Sequence, residues 1–278
     1  MQKKETVRTV FIHAVLIAIV FVMMLPLISM FGTAFTAHDK VASQTSLLPA
    51  FGDWAVDNFT NILQKTNYGH NMLVSLIVSA AATALGAIVS TMGGYALARY
   101  KAPFFSLNLL MMLLMQMFPG MLVTIPLFMM FIKLNMVNHL SSIIIAYVGG
   151  NLGFNLMMMK SFYASIPEEI EEAGRIDGCS NFQVFTRIVL PLVKPGVATI
   201  SIMVFLNAWN EYTMSSLLLR DEMVQTLTVG MTKFQTLDII DWGYLMAASA
   251  LAVLPALIFM FFAQKYLVQG LTSGSVKG

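Results

Sequence analysis

Charge is scarce in this sequence. Of its 278 residues 11% are charged and 58% are hydrophobic, and mean hydropathy is +0.76. A soluble domain carries about a quarter charged residues, and a fold of this length needs more polar surface than this to cover its core in water. An ordinary cytosolic enzyme and a disordered chain are both excluded. Cysteine is nearly absent: Cys179 stands alone, which rules out a disulfide framework and a cysteine zinc site. His13, His38, His70 and His139 are scattered without ligand spacing, so no metal is assigned. There is no Gly-x-x-x-x-Gly-Lys-Ser/Thr loop, hence no phosphate cradle of the kind an ATPase needs. Methionine is abundant at 23 residues, and its flexible apolar side chain reads as helix packing.

Long apolar runs dominate. A helix needs about 20 apolar residues to cross the ~30 Å hydrocarbon core. Six stretches qualify or nearly so: Val10–Phe31, Met72–Ala98, Phe104–Ile132, Ile143–Met159, Val197–Leu219 and Tyr244–Leu267. The fourth is short and is expected to extend beyond its apolar run. The first is too long for the h-region of a signal peptide and reads as an uncleaved anchor. The expectation is an all-α integral membrane protein of six transmembrane helices, a single domain over 1–278. With the N-terminus inside, inner segments hold eleven Lys and Arg residues, among them Lys3, Lys4, Arg8, Arg99, Arg175 and Lys194; outer segments hold five, Lys40, Lys65, Lys133, Arg220 and Lys233. That bias puts both termini in the cytoplasm.

One large polar segment, 160–195, faces the cytoplasm in this scheme. Ser165 with Glu168 has capping-box spacing, as does Ser180 with Gln183. Asp177-Gly178 is a turn signal, and Pro191 and Pro195 are expected to end the second helix. The pattern predicts helix, tight turn, helix. Ile166, Ile170, Ala173, Ile176, Phe182, Phe185 and Ile188 give the hairpin an apolar face, and Glu168, Glu169, Glu171 and Glu172 an acidic rim. Such a pair needs a partner groove or the base of its own bundle to bury that face; both readings stay open on the residues alone.

Glu172, Ala173, Gly174, Gly178, Ile188, Leu190 and Pro191 give this segment its family. It resembles the EAA loop of ATP-binding-cassette importer permeases. Gly174 replaces the usual Ala, which weakens the first helix by up to ~1 kcal/mol, and Cys179 stands where a small Ala is usual. Asn58–Leu63, Tyr95-Ala96-Leu97-Ala98-Arg99, Gln116-Met117-Phe118-Pro119, Trp209-Asn210-Glu211-Tyr212 and the end from Gln264 to Gly278 extend the resemblance along the whole chain. It is closest to the carbohydrate branch, and there to the second permease of maltose- or maltodextrin-type importers. The resemblance implies a type I importer (MetI-like) core in a bacterial inner membrane. It implies pairing with a second permease, two ATPase subunits that bind the ATP and Mg, and an extracytoplasmic sugar-binding protein. No cofactor is held by this chain, and lipid but no nucleic acid is a partner. Coupling to the ATPase falls to Glu172, Ala173, Gly174, Asp177, Gly178 and Phe182. The tail 270–278, with Ser275, Lys277 and Gly278, resembles the end of the maltose-type second permease, which implies that it reaches toward the ATPase interface.

Glu211 is the sole carboxylate inside an expected span. With Asn207 and Asn210 it shares one helical face by i, i+3, i+4 spacing. That face either lines the sugar route or bonds to neighbouring helices. Gln116, Pro119, Gly120 and Pro126 interrupt the third span and Pro255 the sixth. An ion-driven secondary transporter is the rival function, but repeated halves with paired polar sites are not visible. An intramembrane enzyme would need a clustered nucleophile and base, and none is apparent.

Overall fold

The computed structural model of the protein describes residues 2–100, 103–235 and 240–273. Helices α1 (Gln2–Ala34), α2 (Asp57–Lys65), α3 (Tyr68–Arg99), α4 (Pro103–Gln116), α5 (Gly120–Lys133) and α6 (Leu140–Ala164) come first. After them come α7 (Glu168–Ile176), α8 (Asn181–Gln183), α9 (Leu190–Leu192), α10 (Lys194–Asn210), α11 (Thr213–Leu218), α12 (Leu227–Met231) and α13 (Trp242–Ser273). Between α8 and α9 runs a π-helical stretch, Val184–Val189. Among the described residues extended pairing is limited to two isolated bridges, Thr36 with Trp54 and Gln235 with Ile240.

Among the described residues four helices are long and apolar enough to span a membrane, and the number reaches six if two bent pairs each count as one span. The third expected span is not one helix: α4 and α5 meet at 109°. Pro119 explains the break, since a proline drives the preceding residue out of the helical region and brings no N–H. The fifth is preceded by a 75° bend at Val193. Pro191 lies in the last turn of the second arm, which runs through 181–192 and ends there as expected, and Pro195 sits in the first turn of α10, where a missing N–H costs nothing. Pro255 lies inside a continuous α13. The short fourth run extends at both ends, to Leu140 and Ala164.

The chain forms two compact units, 1–69 with 231–254, and 70–230 with 255–278. In the first, buried Asn58 donates to the carbonyls of Ala34 and Thr36, closing the chain that leaves α1. His38 stacks on Tyr244 and shares a hydrogen bond with Asn58 Oδ1, and the Tyr68 hydroxyl donates to Ala248 O.

In the second unit α6 is the central helix, packed by α4, α10 and α11. Small residues let backbones approach there, as is usual between membrane helices. A Cβ on Gly94 would strike Met159 and the Lys160 backbone; one on Gly196 would strike the Phe162 ring. One core joins Val74, Val78, Phe131, Ile143, Val204 and Leu218. A second joins Met159, Tyr163, Val184, Val189, Val193 and Ile200 beneath the α7–α9 hairpin.

Candidate coupling hairpin and membrane cavity

The hairpin starts two residues later than the sequence pattern predicts. Ser165 does not cap α7: its hydroxyl donates back to Phe162 O at the end of α6, and Pro167 is the residue before α7. The second capping box is present, with Gln183 N donating to Ser180 Oγ and Ser180 N donating to Gln183 Oε1. Between the arms, Gly178 takes φ +87. Its N–H reaches Arg175 O, and Cys179 N–H reaches Gly174 O. These two bonds are the Schellman closure of a helix C-terminus, a conformation that favours glycine. Arg175 Nε adds a 3.1 Å bond across to Asn181 Oδ1. With π-type i→i+5 bonding, Val184 and Val189 fall on one side of the second arm, and both are fully buried.

The apolar residues of the hairpin divide. Ile166, Cys179, Phe185 and Ile188 pack inward on the core. Ile176 and Phe182 stay 85% and 73% exposed on either side of the turn. Glu172, Ala173, Asp177 and Gly178 lie toward solvent with them, whereas Gly174 is buried against Ile188 and Val184. The small residue at 174 is therefore used inside the chain, where a Cβ would displace Ile188.

Glu171 departs from the acidic rim expected of it. It is 1% exposed. Arg99 Nε donates to its Oε1 at 2.6 Å and the Tyr95 hydroxyl to its Oε2 at 2.6 Å, with Arg175 3.5 Å away. Arg99 Nη2 also donates to Ile166 O, in the link between α6 and α7. Stranding one member of such a buried pair costs about 3–5 kcal/mol. Four glutamates within five residues hide which one points inward. The one local signal is that Glu171 precedes Gly174 by three residues and Arg175 by four, on one helix face.

The helical face expected at Asn207, Asn210 and Glu211 is broken. Glu211 has extended backbone, φ −72 and ψ 133, and ends α10. Its carboxylate turns onto the first turn of α11, accepting from Met214 N at 2.6 Å and Ser215 N at 3.1 Å, and from the Tyr147 hydroxyl at 2.7 Å. A charge within a spanning region costs about 2.5–3.5 kcal/mol on insertion scales. Hydrogen bonds to a charged group return about 1.5–3 kcal/mol each, so three of them offset it. Asn210 turns back to Leu206 O. Asn207 instead donates to Asn151 Oδ1. Asn207, Asn151, Glu211, Tyr147 and Gln116 share the wall of a cavity of about 930 Å³ between α4, α5, α6 and α10. Ser275, Lys277 and Gly278 lie outside the described residues.

Three comparisons bear on this arrangement. The family described as binding-protein-dependent transport system inner membrane component matches residues 90–273. A maltodextrin transport system permease protein of Streptococcus pneumoniae is 34% identical over 95% of this chain and 93% of its own. A diacetylchitobiose uptake system permease protein of Streptomyces coelicolor is 32% identical over 91% of each. In structure, the chain is similar to one from a bacterial ABC transporter involved in the import of the acidic polysaccharide alginate, with TM-score 0.81 and 23% identity over 92% of this chain and 95% of that one. At that identity the likeness shows the fold.

Proposed function

The chain belongs to the binding-protein-dependent transport system inner membrane components, and from that premise we propose that it is one of two permease subunits of an ATP-driven carbohydrate importer. The substrate class is a maltodextrin-like oligosaccharide, supported by likeness along nearly the whole chain to permeases named for maltodextrin and diacetylchitobiose uptake. It sits in a bacterial inner membrane beside a companion permease. A separate pair of ATPase subunits binds and hydrolyses ATP, and an extracytoplasmic binding protein delivers the sugar. The chain itself performs no catalysis.

One observation carries the coupling role: a hairpin whose inner face is packed and whose tip leaves Ile176 and Phe182 exposed. The inner face answers to the brace reading. The tip, with an apolar pair beside Glu172, Ala173, Asp177 and Gly178, fits an apolar groove on a partner. That partner is the ATPase, and the tail with Ser275, Lys277 and Gly278 is assigned to the same interface. Asn207 and Glu211, with Gln116 and Asn151, form the polar wall of the translocation path; Asn210 stands apart from it.

The test is Gly178→Val, which forces a β-branched residue into φ +87. The permease is expected to insert in the membrane and stop transporting, with the ATPase either lost on co-purification or deaf to the binding protein. Normal uptake and normal stimulation would leave the hairpin a brace and nothing more. Both termini lie in the cytoplasm in this scheme. Reporter fusions at Gln44 and Gln235 are then expected to read outside, and fusions at Cys179 and Gly278 inside.

A further inference from the structure

The hairpin is joined by the chain to α6 and α10, yet its strongest polar attachment is to α3. Glu171 and Arg99 are 72 positions apart, Glu171 and Tyr95 76. Both carboxylate oxygens are taken at 2.6 Å. The Tyr95 ring is wedged between Tyr163 and Phe185. Apolar contacts slide past one another, whereas a buried charge pair with fixed donors holds one register.

The other end of α3 carries a second clamp. Asn71 and Ser75 are 2% and 3% exposed. Asn71 Nδ2 donates to Gln225 O at 2.8 Å, and Ser75 Oγ accepts Leu227 N–H at 2.7 Å. His70 adds a 2.7 Å bond to Met223 O. The segment so held leads directly to Thr228, whose hydroxyl donates to Glu211 O at 2.7 Å. Glu211 is in the cavity wall. From Ser75 to Arg99 the helix spans roughly 36 Å at 1.5 Å per residue.

We propose that α3 is a strut with a polar clamp at each end, tying displacement of the hairpin to the Glu211 wall of the cavity. Glu171, Arg99 and Tyr95 at one end, and Ser75 and Asn71 at the other, are positioning residues for transport. The proposal rests on the hairpin being the ATPase-docking element. A stiff helix moves as a body only if neither end slips, so the two clamps act in series.

Series action gives the test. The complete complex, with companion permease, ATPases and binding protein, is reconstituted in proteoliposomes. Radiolabelled maltodextrin uptake is measured per ATP hydrolysed. Glu171→Leu with Arg99→Met removes the inner clamp without stranding a charge, and Ser75→Ala removes a bond of the outer one. Each is expected to lower sugar moved per ATP about tenfold, a usual size for coupling between sites, with the ATPases still bound. The variant carrying both lesions is expected to fall no further than either alone. Two unrelated structural defects would instead multiply, to about a hundredfold. If the double apolar replacement fails to assemble, Tyr95→Phe, which keeps the ring and deletes one bond, takes its place as the inner lesion. A multiplicative fall, or a wild-type ratio in either clamp variant, overturns the strut. Failure of the docking reading has another signature: Gly178→Val would keep its ATPases and their stimulation.

Discussion

Glu171 and Glu211 are carboxylates in the same compact unit, one buried and the other half-buried in a cavity wall, and their oxygens are hydrogen-bonded by different means. Glu171 is surrounded by side chains: a guanidinium on α3, a second on its own helix and a phenol. Glu211 instead takes two backbone N–H groups from the start of α11 and the Tyr147 hydroxyl. Location accounts for the difference. Arg99 ends α3 and Arg175 lies outside the spanning helices, where a guanidinium is cheap. Further along α10 a second charge would cost as much as the first. A broken helix instead offers unpaired N–H groups, which favour an anion at a helix start. A carboxylate held by cations fixes side chains to each other; one held by N–H groups fixes a break in the backbone.

The largest expected effect comes from Arg99→Met. It leaves Glu171 buried with Tyr95 and the more exposed Arg175 as partners, and is expected to cost about 3–5 kcal/mol. Thermal unfolding of the solubilised permease reads it. Glu211→Leu comes next. It orphans the N–H groups of Met214 and Ser215 and removes the carboxylate partner of the Tyr147 hydroxyl, each worth about 1–3 kcal/mol if left unmade. Transport or assembly should suffer more than in Leu217→Ala. Glu211→Gln strands no cation and keeps one acceptor, so its cost is expected near a single bond, about 1 kcal/mol. A loss as large as that of Arg99→Met would break the contrast between the two sites.

Ser180→Ala removes an N-cap at the second arm of the hairpin and is expected to cost about 1 kcal/mol, read as faster proteolysis at 176–183 with uptake retained. Gly174→Ala has the smallest net effect. Its Cβ pushes the far end of Ile188, costing about 0.5–1.5 kcal/mol in rotamer strain, while helix propensity returns about 1 kcal/mol. Adding Ile188→Val clears the space, so the pair is expected to be more stable than the parent; a less stable pair would mean that 174 must stay open for another reason.

Residue pattern alone carried far. Runs of apolar side chains this long read as spans, because every backbone polar group in lipid must be paired within a helix. Asp177-Gly178 and Ser180 with Gln183 are local signals satisfied by atoms a few residues apart, and they predict the turn and second arm where these occur. The break at Phe118-Pro119 is also written in the chain, though its 109° angle is not.

Tertiary contact decided the rest. Which of four glutamates turns inward depends on Arg99 and Tyr95, more than seventy positions upstream; a pattern read along one helix has no access to them. The end of α10 carries neither glycine nor proline at Glu211, so nothing local announces it. There the carboxylate wins two N–H groups by leaving the helix, a gain visible only once Tyr147 and Thr228 stand beside it. Periodicity is set by the backbone of each segment and is legible residue by residue. Choice among equivalent side chains is set by partners brought from afar, and so appears only in the fold.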